Sequence, residues 1–252
     1  MCTNYVATSK SRYAAHFGTE PPAEDWRTEI YRDYLAPFIR RGDDGSRESL
    51  LGGFGIRPQA KIGGNAHFDT MNARSETVGQ KASFKDSWQA GRLAIIPADV
   101  IFEPRYPSLP DLDVPDRDER VREVLKQRSE RWGITLASDT PCAVAGLWKP
   151  WKEGDGTITY GFTMLTVNAD EHPFLCQFHK HLNPNGSPNE KRGVVILQPD
   201  QYDDWLNCRD PELARTFLSL LQPDAYRAAP APRAKRTKAS TSEVTRGGPG
   251  LF

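Results

Sequence analysis

The chain has 252 residues, 38% hydrophobic and 26% charged, which is enough for one large domain with its own core. Lysine plus arginine equals aspartate plus glutamate at 33 each, so the bulk charge lacks the basic excess that usually grips duplex DNA. Any nucleic-acid site must therefore be a local concentration of charge. The four cysteines (Cys2, Cys142, Cys176, Cys208) form no C-x-x-C pair, and no signal-peptide core or membrane-length apolar run is present. The expectation is a cytoplasmic protein with free thiols, no metal and no cofactor, working on the nucleoid if it acts on DNA.

In chain order, EDWRTEIYRDYLAPFI spaces Trp26, Ile30, Tyr34 and Phe38 at four-residue intervals, which predicts one face of a helix. RLAIIPADVIFEP (92–104) is β-branched and interrupted by Pro97, predicting two strands around a turn, with Asp99 as a turn residue rather than a catalyst. DRDERVREVLKQRSERW predicts a highly charged helix carrying Val121, Val124, Leu125, Arg128 and Trp132 on one side. AVAGLWKPW, TITYGFTMLTV and GVVILQ predict three further strands. PDQYDDWLN and PELARTFLSLL predict short amphipathic helices opened by Pro199 and Pro211. Strands and helices do not alternate regularly, so the expected class is α+β: a mainly antiparallel sheet, curled or barrel-like, with flanking helices. Residues 1–226 form the expected domain. Residues 227–252 carry six basic residues against Glu243 among Pro, Ala, Ser, Thr and Gly, the composition of a disordered basic tail.

Chemistry is first suggested at Cys2. A small residue after the initiator Met is where that Met is normally removed, which leaves a cysteine with a free α-amine and a thiol on adjacent carbons. Their unperturbed pKa values are about 8 and about 8.5, so a usable fraction of each is deprotonated at neutral pH. Such a 1,2-aminothiol condenses with an aldehyde to a Schiff base and then closes a thiazolidine ring. The plain alternative is a tolerant position and an inert chain end.

Asn72-Ala73-Arg74-Ser75-Glu76, then Pro97-Ala98-Asp99 with Glu103 four residues on, Gly146-Leu147-Trp148, Leu165-Thr166, His179 in a late loop, and Val195-Ile196-Leu197 before Trp205-Leu206 follow Met1-Cys2 in this order. Together they resemble the SRAP family (SOS response-associated peptidase-like proteins) over roughly residues 2–206. The resemblance implies an abasic-site processing enzyme that crosslinks abasic sites in single-stranded DNA to Cys2, with AP lyase and autocatalytic peptidase-like activity in view; the expected state is a monomer. It implies that Asn72 positions the amine or the sugar, the alternative being an ordinary turn asparagine. It implies that Arg74 grips a phosphate, the alternative being a surface ion pair. Glu103, in the otherwise apolar IFEP, would deliver a proton, the alternative being a strand-end charge facing water. His179 would take protons from the amine or thiol.

Departures fall on the DNA-facing side. Asn4 stands where the family often has arginine, Pro104 where an aromatic often follows the glutamate, and His181 where an arginine usually binds phosphate. Phe54-Gly55-Ile56-Arg57-Pro58 replaces a Trp-Gly-Leu-Ile-Pro segment, and an insertion, NPNGSPNEKR, follows the late loop. Arg57, Lys180, Lys191 and Arg192 are the candidates for the missing positive charge. A thiol peptidase or N-terminal nucleophile hydrolase using Cys2 fits the same residues, with the α-amine or His179 as base.

Overall fold

The computed structural model describes residues 3–57 and 69–233; Cys2, Pro58 and the chain beyond Arg233 lie outside the described residues. The first third of the chain supplies β1 (Asn4–Ala7), α1 (Lys10–Phe17), β2 (Glu29–Tyr31), β3 (Leu35–Arg41), β4 (Arg47–Phe54) and β5 (Asn72–Arg74). The middle supplies α2 (Lys85–Gln89), β6 (Leu93–Arg105), α3 (Arg117–Lys126), β7 (Glu130–Leu136), β8 (Cys142–Lys152) and β9 (Ile158–Asn168). β10 (Arg192–Val194), β11 (Ile196–Leu197), α4 (Tyr202–Asn207), α5 (Pro211–Arg215) and β12 (Tyr226–Pro230) complete it. The class is α+β, as expected.

Pairing closes a ring: β3 to β4, β4 to β9, β9 to β8, β8 to β6 and β6 back to β3. The remaining strands extend this five-strand barrel. β4 and β5 run parallel to β9, and the other pairings are antiparallel. One core cluster fills the ring with Phe38, Phe54, Ala94, Ile96, Phe162 and Met164. A second lies outside it, where Leu93, Ile95, Ala145 and Leu165 meet Tyr13, Phe17, Trp88 and Trp205 of the helices. Burial on both faces explains why RLAIIPA is a continuous apolar run rather than an alternating one.

Four expectations change. Residues 24–39 form β2 and β3 rather than a helix. A spacing of four is also twice the strand period, and Pro37 inside the segment lacks the N–H a helix interior needs. Residues 92–104 form one long strand rather than two, because Pro97 sits at a handover: β6 faces β3 at Ile95 and β1 from Ala98 onward. Asp99 is accordingly a bulge residue, not a turn, and pairs with Arg12 at 3.1 Å. The charged helix α3 stops at Lys126, so Trp132 belongs to β7. There, Gly133 and Ile134 continue a strand paired with β6. Finally, Arg227–Pro230, expected in the tail, pair with β7 residues Thr135 to Trp132 and belong to the domain.

Candidate active site

The bulge at Asp99 determines which side chains enter the site. Before it, the even-numbered Ala94, Ile96 and Ala98 point into the ring. After it the parity flips and Ile101 joins the same cluster. Glu103 follows two residues later on that inward face and is buried at 6% exposure. A carboxyl group is thereby brought to the rim of an apolar core by one inserted residue.

His179 comes to it from the late loop. Its backbone N–H donates to the Pro104 carbonyl at 2.7 Å, and Phe178 bridges Arg105, so the loop is hooked onto the end of β6. Its φ of 66° is left-handed, a conformation that costs a non-glycine residue energy and needs surrounding support. Lys191 gives that support by donating to the carbonyls of His179 (3.0 Å) and Lys180 (2.6 Å). The imidazole Nε2 lies 3.1 Å from the Arg192 carbonyl, which can only accept, so Nε2 carries the proton. In the neutral ring Nδ1 is then bare, and it faces Glu103 Oε2 at 3.4 Å. Burial pushes His179 below its ordinary value of 6.5, and the neighbouring Glu103 charge partly opposes this. Glu103, His179 and Arg192 line a small, partly open cavity of about 20 Å³ with Ile101, Phe178 and Tyr226, room for a single water.

Asn72 and Arg74 share one side of β5, two residues apart, in register with Met164 and Thr166 of β9. Asn72 is buried, whereas Arg74 is 48% exposed and pairs with Glu190 at 2.6 Å. Arg57 makes a two-pronged ion pair with Asp33. His181 Nε2 donates to the Pro107 carbonyl at 2.9 Å, which leaves Lys180 as the exposed member of this loop. Lys191 and Arg192 are turned inward. Arg192, with a side chain only 2% exposed, binds Glu76, Glu190 and the Thr166 carbonyl (2.6 Å). Too buried to reach a phosphate, it braces the strand that carries the His179 acceptor. Glu76 inside N-A-R-x-E was the available sign of this brace, because a carboxylate that close to the motif needs a cation.

At the start of β1, Asn4, Tyr31 and Arg131 all donate to the Glu29 carboxylate. The guanidinium of Arg131 also lies over Phe102, the register partner of Asn4. Among the described residues no cluster of His, Cys, Asp and Glu could hold a metal, and no helix is long and apolar enough to cross a membrane.

A closed, mostly antiparallel barrel with a buried carboxyl–imidazole pair at its rim defines an α+β protein with two titratable groups held together in a partly desolvated place. The model of the SOS response associated peptidase (SRAP) family matches residues 1–234, and the chain belongs to that family. Two curated relatives in Bacillus subtilis are named abasic site processing proteins. YobE is 26% identical over 167 residues, 66% of this chain and 62% of its own length. YoqW is 28% identical over 158 residues, 62% of this chain and 55% of its own length. The chain thus spans little more than half the length of these relatives. A solved protein from Bordetella bronchiseptica is 30% identical with a TM-score of 0.74, covering 92% of this chain and all of that one. A solved protein from Bacteroides thetaiotaomicron, 17% identical with a TM-score of 0.61 over 90% of both chains, shares the fold.

Proposed function

We propose that this protein captures abasic sites in single-stranded DNA through Cys2, exposed by removal of Met1. The buried Glu103–His179 pair carries the reading, because capture needs protons moved in a site largely closed to water. The α-amine adds to the aldehyde of the ring-opened sugar, and the carbinolamine loses water as the pair donates a proton. The thiolate then adds to the carbon of the resulting imine, the nitrogen takes a proton, and a thiazolidine ring closes. Nothing is oxidised or reduced. Cys2 is two residues before Asn4, so covalent geometry keeps their Cα atoms within about 7 Å. Asn4 in turn faces Phe102, next to Glu103. Asn72 positions the amine or sugar. Arg74, Arg57, Lys180 and His181 supply the strand contacts, the first two by exchanging a carboxylate partner for phosphate. Strand cleavage by β-elimination from the Schiff base is the competing outcome. The protein acts as a cytoplasmic monomer on the nucleoid without a cofactor, its domain running to the end of β12 and its basic tail beyond.

The test is a denaturing gel of protein incubated with an abasic single strand, alongside an intact mass. The mass should show loss of Met1 and the gel a covalent band. Cys2→Ala should abolish the band. Glu103→Gln should slow its formation by about 10²–10⁴-fold without removing it. His179→Ala should change the rate of cleavage or reversal more than the final yield. Unchanged crosslinking by Cys2→Ala, or turnover of a peptide substrate with no band, would overturn capture in favour of a hydrolase.

A further inference from the structure

Beyond Glu103 the same sheet face continues outward. Directly opposite residues of antiparallel strands project to one side, so Glu103 stands beside Trp132, and Arg105 beside Glu130. The Arg105 guanidinium lies 4.3 Å over the Trp132 ring and donates to Gln177 at 3.1 Å. These two residues, with Tyr106, Pro107 and the exposed Arg128, line an open pocket of about 300 Å³. Its rim is fixed from the late loop, since the Pro107 carbonyl accepts from His181 and Arg105 bridges Phe178. The pocket is therefore joined to the Glu103–His179 pair through Trp132, the register partner of Glu103. Its lining holds two aromatic rings, two guanidinium groups and the Glu130 carboxylate, which accepts from Trp132 Nε1 at 3.4 Å. Flat rings beside planar cations suit one ligand class in particular: a nucleobase with its phosphate. Every base offers a π-face to stack, and guanidinium both stacks and binds phosphate oxygens.

We infer that this pocket is a nucleotide subsite, in which Trp132 and Arg105 stack the base next to the captured sugar and Arg128 meets its phosphate. The inference rests on the reading of the site as one for single-stranded DNA and extends it to a flanking nucleotide. A subsite one residue from the acid–base pair would hold the strand in register with the reacting sugar, so it should act on binding rather than on the chemical step.

Equilibrium binding of two fluorescent single strands decides it. One is an undamaged oligonucleotide; the other carries a run of tetrahydrofuran sugars without bases, which cannot react with an aminothiol. Wild-type protein should prefer the base-bearing strand. Trp132→Ala should weaken that strand's binding by about five- to a hundredfold and leave the baseless strand unchanged, and Trp132→Phe should keep most of the affinity. In crosslinking assays Trp132→Ala should raise the DNA concentration for half-maximal rate with the saturated rate preserved. Equal loss on both strands, or no loss on either, would overturn the subsite. If Trp132→Ala discriminates as expected and wild type forms no covalent band, the subsite stands and capture falls.

Discussion

His179 combines a left-handed backbone, a ring buried against Glu103 and a pKa held below its ordinary 6.5 by that burial. The unfolded chain takes a proton at about 6.5, whereas the folded chain resists until lower pH. The unfolded state therefore binds more protons in that window. This contribution to stability is complete above about 6.5 and is lost as the pH falls below it. His16 and His181 are lowered in the same direction, also chiefly by burial. Asp170 and Glu76 are held below 3.8 and 4.5, by the backbone N–H of Lys191 and, against the opposing effect of burial, by Arg192. Their contributions fade at more acid pH. Urea unfolding at pH 7 and pH 5 thus isolates the histidines. Wild type should lose stability between the two, and His179→Asn, which keeps a residue tolerant of positive φ, should lose less. An identical drop in both proteins would mean that His179 takes up its proton at the same pH folded and unfolded.

At the scale of elements, barrel closure depends on a short parallel seam where β4 meets β9 at Gly53–Gly161 and Phe54–Phe162. A Cβ on Gly161 would lie 2.7 Å from the Gly55 carbonyl oxygen and 3.2 Å from the Ile56 Cα, so the strand end must move to accept it. Gly154, in the turn between β8 and β9, has nothing within 4 Å of the same atom. Gly161→Ala should destabilise by about 1–3 kcal/mol and Gly154→Ala by less than about 0.5 kcal/mol, read as midpoints of denaturant unfolding. Equal effects would place closure elsewhere. β8, β9 and the helix around Trp205 were legible in the sequence because apolar composition and turn residues bounded them. β2 and β3 were not, since four-residue spacing fits a helix face and a strand face alike. β7 was hidden inside a run of charge: Glu130 and Arg131 are paired across the sheet edge rather than along a helix. Within the site, Glu103 and His179 were legible from a resemblance in motif order. The bulge that aims Glu103 inward was not, because it is a register shift between two strands and leaves no mark on either alone. Trp132 was missed for the same reason, as its place beside Glu103 exists only once β7 pairs with β6.

At the scale of the whole molecule, neutrality conceals a division of charge. The stretch from Arg227 onward holds six basic residues and one acidic residue, so residues 1–226 carry 27 basic against 32 acidic groups. Several of those cations are already committed: Arg192 to Glu76 and Glu190, Lys191 to two carbonyls, and Arg57 and Arg74 to Asp33 and Glu190, carboxylates they exchange for phosphate with little net gain of charge. Lys180 and Arg128 remain exposed near the Glu103–His179 pair, with Arg105 half-buried beside them. An acidic body offering these three cations on one side can neutralise few phosphates. On the reading of a single-strand site, log affinity should fall with log salt at a slope of about −2 to −3, near −0.7 for each phosphate held. Lys180→Gln should make that slope shallower by about 0.7. Fluorescence anisotropy between 50 and 200 mM salt measures it, with intact duplex as the comparison. A duplex buries its base faces and spreads its phosphates too widely for one groove, so it should bind more weakly at every salt concentration. Repeating the titration on a chain ending at Arg233 removes Lys235, Arg236, Lys238 and Arg246 and separates the groove from the tail. The preference for single strand should survive that truncation. Duplex affinity equal to that for single strand, or a slope steeper than about −5 in the truncated chain, would show that a wider basic surface holds the DNA.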